Sequence, residues 1–173
     1  PDDVDAAVAA ARAALPTWRD WPADDRVAVL RRYQEIAADH ADDLARLIMR
    51  ETGKALWDCK GEAGLLAAKV DITLKGGEHS GLHRVSGFSF PLNDSKQAAC
   101  LFRPHGVMAV VGPFNFPAHL PNGPIVPALA TGNTVVFKPS DKTPAVGQAL
   151  AAMFEQALAD KGAPAGVINL VHG

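Results

Sequence analysis

The chain has 173 residues, 48% apolar, 21% charged and 6% aromatic, with 17 basic against 19 acidic residues and a net charge of −2. That length suits one domain with a sizeable core, and the near balance of charge gives no electrostatic reason to expect nucleic acid as a partner. No apolar run approaches the ~18–20 residues of a membrane span, so a transmembrane protein is not expected, and two cysteines build no disulfide framework, so a reduced, cytoplasmic protein is expected. Asp2, Asp3 and Asp5 at the start argue against a secretory or mitochondrial leader and suit a helix N-terminus. The chain opens on Pro1 rather than methionine and stops at Gly173 directly after an apolar run, so an excerpt of a longer protein is expected.

In chain order, the first half reads as helical. Val4, Ala7, Val8, Ala11 and Leu15 share one face, and Pro16 is expected to end that helix. Trp18 and Trp21, beside Pro16 and Pro22, then read as packing anchors in a joint between helices. A second helix carries Val27, Leu30, Tyr33 and Ile36, and a third carries Leu44, Leu47 and Ile48 and ends near Gly53. A fourth places Leu56, Cys59, Ala63, Leu66 and Val70 at alternating steps of three and four. Gly61 and Gly64 each weaken it by roughly 1 kcal/mol relative to alanine, and they would admit another backbone closely. Residues 76–93 form a glycine- and serine-rich seam in which 86–90 alternate as a short strand.

After that seam the pattern changes. Strands are predicted over 98–102, 107–111, 134–137 and 167–171, and helices over 117–130, interrupted by prolines, and 144–159. Strand, helix, strand, helix, strand is the order of a parallel α/β sheet. Thr143 followed by Pro144 predicts a hydroxyl N-cap with proline in the first helical position, and Gly162 and Pro164 mark the helix end. The apolar strands are expected to need further strands and covering helices that this chain does not supply.

Candidate chemistry is sparse. Cys59 lies on an apolar helix stripe and Cys100 in an apolar strand, and neither opens a helix or follows a glycine-rich turn where a thiolate is favoured, so both read as buried free thiols. His79 and His83, four apart, could share a helix face and hold a metal. No third ligand stands at suggestive spacing and Gly81 lies between them, so no metal site is expected. The turn after 107–111 is Gly112-Pro113-Phe114-Asn115-Phe116-Pro117, not the three-glycine dinucleotide fingerprint. It holds Asn115 at the carboxyl end of a strand, where open α/β sheets bind ligands. Either the asparagine serves its own turn, or its amide is a neutral donor facing a developing oxyanion. The next strand runs into Lys138-Pro139-Ser140-Asp141. This is either a solvated lysine with a turn-forming Ser140-Asp141, or a polar pair beside a crevice, the carboxylate accepting from ribose hydroxyls and the ammonium donating to them.

These residues carry a resemblance. Pro113-Phe114-Asn115-Phe116-Pro117, Pro127-Ala128-Leu129-Ala130-Thr131-Gly132-Asn133, Lys138-Pro139-Ser140-Asp141 and 164–171, in that order and spacing, resemble the aldehyde dehydrogenase superfamily, and Glu51-Thr52-Gly53-Lys54 fits it more loosely. Residues 115–123 resemble its succinylglutamate-semialdehyde dehydrogenase branch, which belongs to bacterial arginine catabolism. There His119 either shapes an acidic-substrate site or serves packing or its turn. The resemblance implies a helical part of a cofactor domain over 1–85, a connecting hairpin over 86–103, and half of a Rossmann-like, parallel NAD-binding sheet over 104–173. It implies a mechanism in which a cysteine thiolate adds to the aldehyde, the thiohemiacetal passes hydride to NAD, and water hydrolyses the thioester with a glutamate as base.

On that pattern Asn115 maps onto the donor that steadies the oxyanion, Lys138 onto the ribose-contacting lysine with Ser140 and Asp141 beside it, and Pro113 and Phe114 onto the nicotinamide side of the groove. Asp141 stands where glutamate is usual; its shorter carboxylate still favours the free 2′-hydroxyl of NAD. The family's cysteine, base glutamate and later glycine-rich turns are implied beyond Gly173, so the 173 residues alone are expected to be inactive. The implied partners are a small aldehyde and, for the full-length protein, further copies of itself. The competing readings are another branch of the family, or a non-catalytic domain that binds nucleotide or packs on a partner.

Overall fold

The structure, a computed structural model, describes residues 2–75 and 81–173. Four helices come first: α1 (Asp2–Asp20), α2 (Ala23–Asp39), α3 (Ala41–Thr52) and α4 (Leu56–Lys75). Pro16 does not end α1 but lies inside it. An interior proline costs about 3 kcal/mol, but the helix has to continue to carry Trp18, which is wholly buried. Removing roughly 150–250 Å² of aromatic surface from water at about 25 cal/mol per Å² offsets that cost. The expected joint therefore shrinks to Trp21 and Pro22, with the two indole rings 5.4 Å apart. Gly61 and Gly64 are exposed, and a methyl group at either would meet no atom within 4 Å, so the close backbone approach expected there is absent among the described residues. His79 lies outside the described residues, and His83 falls in a short 3-10 turn, Gly81–Val85.

A hairpin follows, β1 (Phe88–Asn93) paired antiparallel with β2 (Lys96–Cys100). Both strands sit nearer the turn than the sequence suggests. Asn93 Oδ1 accepts the Ser95 N–H at 3.0 Å and its hydroxyl at 3.1 Å, which sets the turn at 94–95 and leaves 101–102 beyond the ladder. Phe88, Phe90 and Leu92 are exposed, so the hairpin stands outside the core.

The sheet is β3 (Val107–Val111), β4 (Thr134–Lys138) and β5 (Ile168–Leu170), all parallel in the order β3-β4-β5. Helices α5 (His119–Ala130) and α6 (Pro144–Asp160) make the two crossovers. Side chains alternate along β4 as a strand requires. Val135 and Phe137 enter the main core with Ile125, Leu129, Leu150 and Phe154, while Val136 faces the opposite side with Ala7 and Ala11 of α1. The Thr134 hydroxyl also donates to the Ala11 carbonyl at 3.0 Å. Helices thus lie on both faces, yet Val111 of β3 is still 75% exposed, and α2, α3 and α4 form a further layer outside α5 and α6.

Polar bonds join these layers. Tyr33 of α2 stacks on Phe154 with ring centroids 3.7 Å apart and donates its hydroxyl to Asn122 Oδ1 of α5 at 2.7 Å; Asn122 Nδ2 in turn donates to the Leu66 carbonyl of α4 at 3.3 Å. Gly147 lets α6 lie directly against the end of β4: a Cβ there would stand 2.3 Å from Pro139 Cβ.

Candidate functional site

The carboxyl ends of β3 and β4 lie side by side because Val111 is in register with Lys138, and the Gly112 N–H donates to the Lys138 carbonyl at 2.8 Å. The register brings together the two segments singled out in the sequence, 112–117 and 138–141. Pro113 is half-buried, Phe114 is 39% exposed and Asn115 is exposed. Lys142 bridges the loops, with its ammonium 5.6 Å from the Phe114 ring centroid. Lys138 is half-buried at the last position of β4 and makes no ion pair with Asp141. Asp141 is exposed and accepts the Ser140 hydroxyl at 3.4 Å, while Ser140 Oγ accepts the Lys142 N–H at 3.2 Å. The Ser-Asp turn is therefore formed, and it leaves the Asp141 carboxylate exposed at the carboxyl edge of the sheet.

Asn115 does not serve its own turn. Among the described residues its side-chain amide has no hydrogen-bond partner, and its backbone carbonyl instead accepts from the Lys54 ammonium at 3.3 Å. The turn is held from outside. Lys54 follows α3, whose C-terminal turn closes on Gly53 with φ +74. Its ammonium pairs with Glu62 at 2.9 Å and Asp58 at 3.2 Å and lies 4.0 Å from the Phe116 ring centroid. Burial pulls that ammonium down, but the hydrogen bonds and charges of Glu62 and Asp58 outweigh it, so its pKa ends above the ordinary value.

Glu62 is buried in α4, and its Oε1 accepts the N–H groups of Ala118 and His119 at 3.0 and 3.2 Å. Helix α5 has no side-chain cap of its own, so this carboxylate satisfies donors that would otherwise be orphaned, at the positive end of the helix. A buried carboxylate is tolerable here because it is both paired and hydrogen-bonded.

The other crossover helix is treated alike. Thr143 occupies the N-cap of α6 as expected, but its hydroxyl is buried without a partner among the described residues. Glu51, from the end of α3, accepts the Ala145 and Val146 N–H groups at 3.0 and 2.8 Å instead. Both helix N-termini that open on the ligand edge thus already hold protein carboxylates, and neither is available to a pyrophosphate. This agrees with the lack of a glycine-rich turn after β3.

Sequence reasoning missed the parts played by Glu51, Lys54 and Glu62. Two signals were available: Glu51-Thr52-Gly53-Lys54, which fitted the family without a role, and Glu62 itself, a charge set among Cys59, Ala63 and Leu66 on an otherwise apolar stripe. Cys59 is buried, burial pushes its thiol pKa up despite the nearby Lys54, and it donates weakly to the Lys54 carbonyl at 3.8 Å. It is a packing residue. His119 opens α5, half-buried, with Nδ1 buried and without a partner among the described residues.

A parallel sheet with crossover helices and two loops side by side at its carboxyl edge defines an open α/β domain, the class in which ligands bind at that edge. A model of the aldehyde dehydrogenase family matches residues 1–173, and the chain belongs to that family. It is 51% identical over 174 residues to a Caulobacter vibrioides protein named N-succinylglutamate 5-semialdehyde dehydrogenase 2, covering 100% of this chain and 34% of that protein. The chain spans about a third of the length of the curated relatives it matches. Among solved structures, one described as an E. coli NADP dependent enzyme superposes with a TM-score of 0.87 at 38% identity, covering 99% of this chain and 34% of that one. An NAD-dependent benzaldehyde dehydrogenase from Corynebacterium glutamicum superposes with a TM-score of 0.85 at 34% identity, over 99% and 35%.

Proposed function

We propose that this chain supplies the N-terminal, cofactor-side part of an NAD-dependent enzyme that oxidises N-succinylglutamate 5-semialdehyde to the acid in the cytoplasm, working as a homo-oligomer. The observation that supports the reading is the register of Val111 with Lys138, which brings the loops after β3 and β4, one carrying Asn115 and the other Asp141, out of the same sheet edge in a chain 51% identical to a succinylglutamate-semialdehyde dehydrogenase. Residues 1–85 act as the helical part of the cofactor domain, 86–103 as a connecting hairpin and 104–173 as part of the NAD-binding sheet.

The residues present fit a dinucleotide. Phe114 offers an aromatic face at the crevice, Lys138 a cation at the strand end, and Asp141 a surface carboxylate. NAD, when bound, accepts a hydride. Lys138 would donate to ribose oxygens and Asp141 would accept from ribose hydroxyls, with Ser140 between them on the same loop. The two solved relatives differ in dinucleotide by their descriptions, so the choice of NAD rests on Asp141, whose charge repels a 2′-phosphate. Pro113 and Phe114 shield the nicotinamide side from water, and the unpartnered Asn115 amide donates to the oxygen that becomes negative when a thiolate from elsewhere in the enzyme adds to the aldehyde.

The test uses the complete enzyme with NAD and a panel of semialdehydes. Oxidation of N-succinylglutamate 5-semialdehyde is expected to be preferred, and Asn115→Ala is expected to lower kcat by ~10²–10³. Unchanged turnover in that variant would refute the oxyanion role.

A further inference from the structure

We propose that Glu62 and Lys54 are positioning residues for catalysis: together they clamp the turn that presents Asn115, and so set the rate of the step that the Asn115 amide assists. This rests on the reading of Asn115 as the oxyanion donor and adds to it the means by which the donor is held.

Asn115 itself is exposed and its side chain is untethered, so its placement depends on the backbone that carries it. That backbone is anchored at three points. Upstream, the Gly112 N–H is fixed to the Lys138 carbonyl of the sheet at 2.8 Å. Downstream, the Ala118 and His119 N–H groups are fixed to Glu62 Oε1 at 3.0 and 3.2 Å. Between them, the Lys54 ammonium holds the Asn115 carbonyl at 3.3 Å while its other bonds go to Glu62 and Asp58. The prolines at 113 and 117 restrict φ inside the span, so little freedom is left once the anchors are made.

All three bonds of the Lys54 ammonium thus go to the clamp or its support, and both Glu62 oxygens are used, one on Lys54 and one on the turn. Neither residue is placed against substrate or cofactor; each acts through Asn115. A donor displaced by about 1 Å loses much of its value in a transition state, and loosening either anchor permits such a displacement.

The distinguishing measurement is a double-mutant cycle in the complete enzyme, with kcat read for the semialdehyde at saturating NAD and folding checked by thermal melting. Glu62→Gln keeps the shape and loses the ion pair. Lys54→Met keeps the stem over Phe116, loses the ammonium, and serves as the second route should Glu62→Gln not fold. Each is expected to lower kcat about 10- to 100-fold. In an Asn115→Ala background the same substitution is expected to change kcat by less than about twofold, because the group it positions is gone.

A full, multiplicative loss in the Asn115→Ala background, or an undiminished kcat in folded single variants, overturns the clamp while Asn115 keeps its role. A wild-type enzyme that oxidises no aldehyde, or an Asn115→Ala variant with undiminished turnover, overturns both readings.

Discussion

Thr143 and Glu51 show how a residue in the expected position can be relieved of the expected task. The backbone of Thr143, at φ −136 and ψ 51, does not bring its hydroxyl onto the first N–H groups of α6, and the hydroxyl remains buried and unpartnered. Glu51 arrives from another helix with a charged acceptor, and charge-assisted bonds of this kind are the stronger ones. Glu51→Ala is therefore expected to cost about 1 kcal/mol of unfolding free energy through the lost cap. Thr143→Val, which removes an unsatisfied hydroxyl at nearly constant volume, is expected to be neutral or stabilising. Urea denaturation of the two variants checks this, and a larger loss for Thr143→Val than for Glu51→Ala would contradict it.

At the scale of elements, the contact between α2 and α4 has a polar edge that responds to acid. Asp71 of α4 accepts from Arg31 at 2.6 Å and from Gln34 at 2.9 Å, both on α2, and pairs with Lys75 at 3.2 Å. The hydrogen bonds from Arg31, Gln34 and Lys75 hold its carboxyl below the ordinary 3.8, at about 2. A carboxylate whose folded pKa is depressed contributes stability that is present above its unfolded pKa and lost as pH falls through the folded value. The helix contact is accordingly expected to weaken between about pH 4 and pH 2. Melting temperature followed across that window is expected to fall less steeply in Asp71→Asn than in the parent. Identical slopes would remove Asp71 from the account.

For the molecule as a whole, the helical layer braces the ligand edge of the sheet. Glu51 meets α6, Glu62 meets α5, and Lys54 meets the turn between β3 and α5, so one corner of the bundle, from the end of α3 into α4, governs both loops of the crevice. Within these 173 residues the only cysteines are a buried thiol in α4 and one in the hairpin, neither at the crevice. The isolated chain is expected to produce no NADH from NAD and a semialdehyde, since covalent aldehyde oxidation needs a thiolate beside Asn115. Absorbance at enzymatic rates from the purified 173-residue protein would overturn this.

The parallel α/β order, the strand positions, the turn that carries Asn115 and the loop that carries Lys138 were all legible from sequence, because each depends on local signals. Those signals are residue period, an apolar run, or a proline or glycine at a turn. Strand and helix ends slipped by a few residues where pairing or burial overrode them, as when Trp18 carried α1 through Pro16. Tertiary structure alone decided what holds the site. Glu62 lies 56 residues from Ala118, and Glu51 lies 94 residues from Ala145. No period or spacing rule reaches across such intervals. Only the packing of the helical layer against the sheet brings those carboxylates to the two helix ends, and the burial that results makes their pairing obligatory.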